Sequence, residues 1–299
     1  MDILDEVLKT LRLNANVFLH AEFCENWVVN IEALNYKVCF HVIARGDCWL
    51  HVPDSAEPRA LHAGDLLICP RNSRHLITNS QKHPADDVPR NTPKTSDGST
   101  PSTSLICGYC EFLQYYWNPI LEALPEYMVI PNVDSSRSRL ASIIDLMTIE
   151  TEAGDVGSDA VIDRLSDILF IEAIRTYIHS HEDNRGYIAA LKEPRLSKAL
   201  ISFHKRPTQN WTVQSLSEAA GMSRSGFAEL FKNIVSMSPM EYVTGWRMQY
   251  AYDLLTSSTK SVIQIAEECS YQSEAAFRKV FKRQFDIGPG AVRREARSH

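Results

Sequence analysis

Basic side chains are concentrated near the carboxyl end of the chain, in the segment "SYQSEAAFRKVFKRQF" (270–285). At 100° per residue, Phe277, Phe281 and Phe285 fall on one face of a helix and are expected to be buried. The opposite face and its flank carry Ala275, Arg278, Lys279, Lys282 and Arg283. Such a cationic face can neutralise the phosphates of a nucleic acid, although Lys and Arg also face water on helices that bind nothing.

A second copy of this pattern lies 50 positions earlier in the chain. Ser223, Phe227, Phe231 and Lys232 correspond to Ser273, Phe277, Phe281 and Lys282. In each copy a short apolar segment, "LSEAAG" or "VIQIAEEC", and a turn come before the charged helix. This order is the helix-turn-helix arrangement. Because an internal repeat is a stronger signal than one basic helix, the sequence predicts two DNA-reading units.

A longer helix is predicted between the two copies, in "SPMEYVTGWRMQYAYDLL" (238–255). Ser238 and Glu241 can form a capping box, and Pro239 takes the first helical position. About 17 residues at 1.5 Å each give roughly 25 Å, which is of the order of one DNA turn of about 34 Å. The two units could then contact successive major-groove segments on one side of a duplex.

Residues 191–299 resemble the DNA-binding domain of AraC/XylS-type bacterial transcription regulators. The resemblance rests on "WTVQSLSEAAGMSRSGFAELFK", the spacer segment and "IAEECSYQSEAAFRKVFKRQFDIGP", in order and at the spacing of the family. Ser236, Ser270 and Asp286 stand where the family has Gly. The resemblance implies double-stranded operator DNA as a partner and, because activation fits the family, RNA polymerase. It assigns DNA contacts to Arg224, Ser225, Glu229, Lys232, Glu274, Ala275, Arg278 and Lys279, and the cationic face adds Lys282 and Arg283.

Charge is divided unevenly along the 299-residue chain. Residues 191–299 hold 16 Lys and Arg against 10 Asp and Glu, a net charge of +6, and the remainder holds 15 against 27, a net of −12. A basic module attached to an acidic one suits binding to a polyanion. The first 20 residues contain acids and no long apolar run, so we expect a cytoplasmic protein without a membrane partner. The seven Cys are then expected to be mostly reduced.

The amino-terminal part is predicted to be a β-barrel, because residues 27–79 are rich in β-branched and aromatic side chains. The spacing G-x5-P-x4-H-x3-N is formed by Gly64, Pro70, His75 and Asn79. This spacing resembles the second signature of the cupin barrel, and the resemblance covers residues 20–130.

The cupin resemblance raises the question of a metal. Metal-binding cupins take two His and a Glu from their first signature and one His from the second. Here the first signature has no His-x-His, Cys39 stands in place of the Glu, and His41 lies two residues further on. Cys39, His41 and His75 are the candidate ligands, since two imidazoles and a thiolate suit a borderline metal. Of the two possibilities, we predict the second: His41 and His75 form a hydrogen-bonded pair that binds no metal or other cofactor. The incomplete ligand set also argues against an enzyme.

The remaining segments define the predicted domain boundaries. Residues 80–104 are polar, with four Pro, and are expected to form a mobile surface loop. Two amphipathic helices follow. The wide apolar surface of the second, in residues 159–181, is either core or the contact of a homodimer, whose two-fold symmetry would suit operator DNA. The predicted fold class is α+β, with a cupin-like sensory domain (1–133), a helical linker for dimerisation (134–190) and an all-α double helix-turn-helix domain (191–299).

Two Cys are candidate redox sensors. The "CGYC" at 107–110 is predicted to lie in a strand, where positions i and i+3 face opposite sides, so no disulfide is expected within it. Cys24 comes before the barrel and Cys107 follows the polar loop. This arrangement resembles AraC-type regulators that respond to reactive chlorine species, and the resemblance implies oxidation of Cys24 and a bridge to Cys107. The alternative is two inert thiols.

The sequence therefore predicts a transcription regulator, an activator rather than a repressor, with no catalytic activity. Three alternatives stay open at this stage. The chain could be a cupin-barrel oxygenase or isomerase with an appended DNA-binding tail, a regulator that senses a small ligand or a metal in the barrel, or a nucleoid-type protein that binds DNA without sequence preference.

Overall fold

A computed structural model describes residues 13–32, 37–53, 55, 57–71, 73–84, 88, 102–112, 119–132, 138–180 and 186–297. The chain forms two compact units. The described residues of 13–112 and 124–182 form the first, and those of 113–123 and 183–299 form the second. Most of the predicted loop at 80–104 lies outside the described residues. Among the described residues, no helix combines the length and apolar character needed to cross a bilayer.

The first unit is built on two antiparallel sheets, as predicted for a cupin-like barrel. The larger sheet has the strand order β1-β8-β3-β6-β9, and the smaller has β2-β7-β4-β5. The strands are β1 (Leu13–Phe23), β2 (Val28–Ile31), β3 (Lys37–Arg45), β4 (Cys48–His51), β5 (Arg59–Leu61), β6 (Leu66–Cys69), β7 (His75–Thr78), β8 (Thr103–Phe112) and β9 (Met128–Ile130). The inward-facing side chains of both sheets form one core that includes Trp27, Ile43, Leu67, Ile77 and Leu105.

Two helices, α2 (Arg139–Ala153) and α3 (Ser158–Ser180), belong to this first unit. They come after α1 (Pro119–Ala123) in the chain. Helix α3 lies along β1, an edge strand, and its Asp167 Oδ1 accepts a hydrogen bond of 2.9 Å from the Ala15 N–H. Asp163 Oδ1 accepts from the Val17 N–H at 3.4 Å. These carboxylates occupy N–H groups that an edge strand would otherwise offer to another chain.

The second unit is helical. Its helices are α1, α4 (Gly186–Lys192), α5 (Pro194–Lys205), α6 (Val213–Ala220), α7 (Arg224–Val235), α8 (Pro239–Ser257), α9 (Val262–Glu268), α10 (Glu274–Phe285) and α11 (Pro289–Arg297). The segment predicted as one linker, 134–190, is thus divided, with α2 and α3 in the first unit and α4 in the second. The physical reason is that α3, which buries Ile162, Leu169 and Ile174, packs against α2 and β1 of the first unit.

Candidate functional site

The first helix-turn-helix unit consists of α6, a turn and α7. The turn is made by Gly221 in the left-handed region (φ 66°), and its N–H donates to the Glu218 carbonyl at 3.0 Å. The next N–H, of Met222, donates to the Ser217 carbonyl at 2.9 Å. Ser223 then caps α7 by accepting from the Gly226 N–H. These bonds satisfy backbone groups at the carboxyl end of α6 and the amino end of α7, and they so define the angle between the two helices.

The second helix-turn-helix motif, formed by α9 and α10, repeats this geometry with a longer turn. Ser270 takes the left-handed position (φ 62°), its N–H donates to Glu267, and the Tyr271 N–H donates to Ala266 at 2.8 Å. Gln272 is an additional residue before the cap Ser273, so the first helices of the two units are 49 positions apart and the second helices 50. The Ser270 Oγ–H also donates to the Thr208 carbonyl at 2.5 Å, which ties the turn to the segment before α6.

Aromatic side chains anchor both second helices, as the periodicity predicts. Phe227 and Phe231 are buried in α7 with ring centroids 5.7 Å apart. Phe277 and Phe281 are buried in α10 at 5.5 Å, and Phe285 follows at 4.5 Å from Phe281. Because these stripes face the core of the unit, the opposite faces of α7 and α10 face outward.

The residues assigned to DNA contact all lie on these outward faces. Nine are exposed: Arg224, Ser225, Glu229, Lys232, Ala275, Arg278, Lys279, Lys282 and Arg283. Glu274 is half-buried and forms an ion pair of 2.5 Å with Arg278 one turn later. Helix α7 carries a net charge of +1 and α10 a net charge of +3. The second helix-turn-helix motif therefore attracts phosphate more strongly than the first.

The spacer helix α8 is 19 residues long, about 28 Å at 1.5 Å per residue. It begins as predicted, with a capping box of Ser238 and Glu241 and Pro239 in its first turn. Its Tyr242 hydroxyl is 2.7 Å from His204 Nε2 and accepts a bond of 2.9 Å from the Trp246 indole N–H. Burial lowers the pKa of His204 to about 3, so this imidazole is neutral in the folded unit. The network fixes α8 against α5.

Inside the barrel the structure brings the three predicted metal-ligand candidates together. His41 Nε2 is 2.8 Å from His75 Nε2 and 3.3 Å from Cys39 Sγ. Cys69, which sequence reasoning missed, lies beside them, and its Sγ is 3.7 Å from Nδ1 and 3.8 Å from Nε2 of His75, so it packs against the imidazole ring. Cys69 is directly opposite Cys39 in the β3–β6 register, and this pairing has no signal in the sequence. All four side chains are buried.

Burial controls the protonation of this cluster. Burial lowers the pKa of His41, and the neighbouring His75 lowers it further. Burial also lowers the pKa of His75, although the hydrogen bond that His75 donates to the Ser73 carbonyl opposes this shift. Burial raises the pKa of Cys39 to about 12. Burial also raises the pKa of Cys69, and the neighbouring Cys39 adds to that shift. Without a metal ion, the cluster consists of neutral thiols and neutral imidazoles.

The two candidate redox residues lie far apart in this conformation. Cys24 follows the end of β1 and is 5% exposed, and Cys107 is fully buried in β8. Cys107 pairs with Leu19, whereas Phe23, next to Cys24, pairs with Thr103. Four strand residues correspond to about 13 Å, and a disulfide needs Cα atoms about 4.4–6.8 Å apart. A Cys24–Cys107 bridge therefore requires the end of β1 to leave its place in the sheet.

The cupin signature residues have structural roles around these sites. Gly64 has a φ of 85°, and a Cβ there would overlap the Asn132 side chain. The Asn79 side chain donates to the Glu25 carbonyl and accepts from the Trp27 N–H, so it holds the loop that follows Cys24. His75 is also one of the residues lining a cleft of about 350 Å³, together with His51, Arg74 and His83.

Comparison with known proteins agrees with this two-unit structure. Residues 2–179 match the cupin family and residues 216–295 match a helix-turn-helix domain family. An HTH-type transcriptional regulator of Haemophilus influenzae is 32% identical, with 98% of this chain and 99% of that protein covered. The HTH-type transcriptional regulator AlkR of Acinetobacter baylyi is 30% identical over 99% of this chain and all of that protein.

A third relative is the RCS-specific HTH-type transcriptional activator RclR of Escherichia coli, 28% identical over 86% of this chain and 84% of that protein. The matches cover both units, and these relatives are HTH-type transcription regulators. The chain therefore belongs to the AraC-type family of transcriptional regulators, with a cupin amino-terminal domain and a helix-turn-helix DNA-binding domain.

Proposed function

We propose that this regulator activates transcription in the cytoplasm by placing α7 and α10 in successive major grooves of a promoter operator, with RNA polymerase as its partner. The observation that carries the proposal is the pair of capped second helices with buried Phe stripes and exposed polar and basic faces. Spacer α8 contacts helices of both helix-turn-helix motifs, so it can hold one recognition helix at a set distance from the other. Two such helices on one rigid support favour a direct-repeat DNA site.

The DNA proposal is tested with Lys279→Ala in the full chain. A binding site is first selected from random duplex DNA, and affinity is then measured at several salt concentrations. If Lys279 touches bases, the variant loses about 1–3 kcal/mol on the selected site, and if it touches phosphate, binding weakens uniformly and the salt slope falls by about 1.

The matched control is Lys198→Ala, which removes the same charge from an exposed position of α5, outside both helix-turn-helix units. It should leave affinity and salt slope unchanged. Wild-type affinity in both Lys279→Ala and Arg278→Ala would remove α10 from the recognition role. A selection that enriches no sequence would favour a nucleoid-type binder instead.

The barrel is proposed as a sensory domain without catalytic activity. Its candidate metal ligands lack the His-x-His of metal-binding cupins, and its relatives are regulators. The relative RclR is described as RCS-specific, and Cys24 and Cys107 are proposed as the oxidant-responsive pair of this chain. Because both thiols are buried and far apart, their reaction is expected to begin at Cys24 and to reach Cys107 only after the end of β1 opens.

Brief treatment with hypochlorous acid, followed by non-reducing peptide mass spectrometry, tests the redox proposal. A reversible Cys24–Cys107 bridge that is lost in Cys24→Ser and retained in Cys269→Ser would support it. Cys269 is a matched control because it is also buried but lies in the second unit. Unmodified thiols, or random oxidation at all seven positions, would direct attention to a small ligand in the cleft beside His75.

A homodimer is proposed through α2 and α3. These helices expose four large apolar side chains, Leu146, Ile149, Val161 and Ile168. Exposed apolar surface of this kind marks interaction sites, and a two-fold dimer would suit operator DNA. Light scattering on the wild type and on Ile149→Lys tests the interface. A wild-type chain that is monomeric at all accessible concentrations would refute it.

A further inference from the structure

We propose that Ser270 is a positioning residue that sets which spacing of DNA half-sites the protein accepts, because its hydroxyl ties the second helix-turn-helix motif to the first. The inference rests on the proposed function, in which α7 and α10 enter successive major grooves. Ser270 stands where the family has Gly. Gly has no side chain to donate a hydrogen bond, so a chain with the family's Gly could not make the same contact.

The connecting segment, residues 206–211 between α5 and α6, is a rigid extension of the first motif. The Gln209 N–H donates to the Arg206 carbonyl at 3.1 Å, and the indole N–H of Trp211 donates to the same carbonyl at 2.8 Å. Trp211 is buried, and Thr212, the next residue, caps α6 through a capping box. The carbonyl groups of the connecting segment therefore move together with α6.

Two neighbouring carbonyls of the connecting segment accept hydrogen bonds from outside the first motif. The Thr208 carbonyl accepts from the Ser270 hydroxyl at 2.5 Å, and the Gln209 carbonyl accepts from Arg247 Nη2 at 2.7 Å. Ser270 lies in the turn of the second motif, and Arg247 lies in α8. The Cys269 thiol, next to Ser270, donates to the Arg247 carbonyl at 3.5 Å. The turn, the spacer helix and the connecting segment thus meet at one point.

Both donors of this contact are held in place. Arg247 is 9% exposed, and its charged guanidinium forms a stronger bond to the Gln209 carbonyl than a neutral donor would. The backbone of Ser270 is fixed in the left-handed region (φ 62°), where its N–H donates to the Glu267 carbonyl at 2.9 Å. The two bonds therefore join ordered groups, and they favour one arrangement of the two motifs.

The arrangement of the motifs determines which DNA sites fit. One additional base pair between two half-sites moves the second half-site by about 3.4 Å and rotates it by about 35°. To follow this shift, the second motif would have to turn relative to the first and break the bond between Ser270 and Thr208. A hydrogen bond of this kind corresponds to roughly a 2- to 12-fold change in affinity. The wild type should therefore reject shifted sites more strongly than a chain without the hydroxyl.

The test measures the affinity of the full chain for duplexes in which the half-sites of the selected site are moved together or apart by one base pair. In Ser270→Gly and in Ser270→Ala, the penalty for the shifted sites should be smaller than in the wild type by roughly 2- to 12-fold. Affinity for the selected site should change little. Gly relieves the left-handed strain and Ala retains it, so an effect common to both variants is due to the loss of the hydroxyl.

Ser236→Gly is the matched control. It makes the same replacement in the same backbone conformation (φ 64°) at the end of α7, where the Ser236 hydroxyl forms no hydrogen bond to another described residue. This variant should keep the wild-type penalty for shifted sites. A change in stability alone would alter binding to all spacings alike, and the ratio of affinities between spacings would stay the same.

Scrambling one half-site separates the failure of this inference from the failure of the proposed function. If the wild type lost no affinity on such a duplex, binding in two successive grooves would be refuted, and the role of Ser270 with it. If the wild type required both half-sites but both Ser270 variants kept its spacing penalty, only the role of Ser270 would be refuted. Equal loss of spacing discrimination in Ser236→Gly would also overturn the assignment.

Discussion

Ser236→Gly is predicted to stabilise the DNA-binding unit, because Ser236 occupies a backbone conformation that suits Gly. It ends α7 with a φ of 64°, and its N–H donates to the Lys232 carbonyl. A left-handed conformation costs a residue with a Cβ about 1–2 kcal/mol. Gly removes this strain but increases the entropy of the unfolded chain by about 0.4–1 kcal/mol. The expected net gain is about 0.5–1 kcal/mol.

The two helix-turn-helix turns provide internal comparisons for this magnitude. Ser270 has the same backbone conformation, but its hydroxyl donates to Thr208. Loss of that bond costs about 0.5–1.5 kcal/mol, so Ser270→Gly should be nearly neutral. Gly221→Ala introduces a Cβ at φ 66°, where no atom lies within 4 Å. It should destabilise the unit by about the amount that Ser236→Gly gains, through backbone strain alone.

Thermal unfolding of the full chain, followed by the fluorescence of Trp211 and Trp246 in the second unit, measures these changes. One kcal/mol shifts the melting temperature by roughly 4–8 °C for a domain of 60–100 residues and by roughly 2–4 °C for one of 150–250 residues, and the second unit falls between these sizes. Ser236→Gly should raise the second-unit transition, and Gly221→Ala should lower it. If Ser236→Gly lowered the transition, the strain argument would be wrong, and the left-handed turns would be stabilised by contacts other than those described above.

Two further predictions concern buried polar groups. His204 is neutral in the folded unit, where its pKa is about 3, whereas a His in an unfolded chain titrates near 6.5. Protonation of the unfolded chain should therefore destabilise the second unit as pH falls below about 6.5, by about 2 kcal/mol at pH 5. Denaturant titrations should show this loss of stability in the wild type but not in His204→Gln. Asp167→Ala should destabilise the first unit by about 1–3 kcal/mol, because it leaves the Ala15 N–H without its carboxylate acceptor. Asp167→Asn keeps an acceptor oxygen and should cost clearly less. If chemical denaturation gave both variants the same loss in free energy of unfolding, the charge of Asp167 rather than its hydrogen bond would be what matters.

Local sequence determined most of the DNA-binding unit. The Ser caps, the Phe spacing and the capping box of α8 act within one or two turns of helix, so residue types and intervals suffice to place them. The prediction that "CGYC" lies in a strand is confirmed for the same reason, since β-branched and aromatic neighbours surround it. The cupin-like barrel was likewise predicted from its signature spacing and its strand-rich composition.

Tertiary structure decided the properties that depend on register and burial. Cys69 joins Cys39, His41 and His75 only because β3 and β6 pair in one register, and a shift of one residue would turn its side chain to the other face. The separation of Cys24 from Cys107 follows in the same way from the pairing of β1 with β8. Strand pairing joins residues that are distant in the chain, and no local pattern encodes which residues face each other. The sequence thus specified the chemistry available in the barrel, whereas the sheet determined which side chains meet.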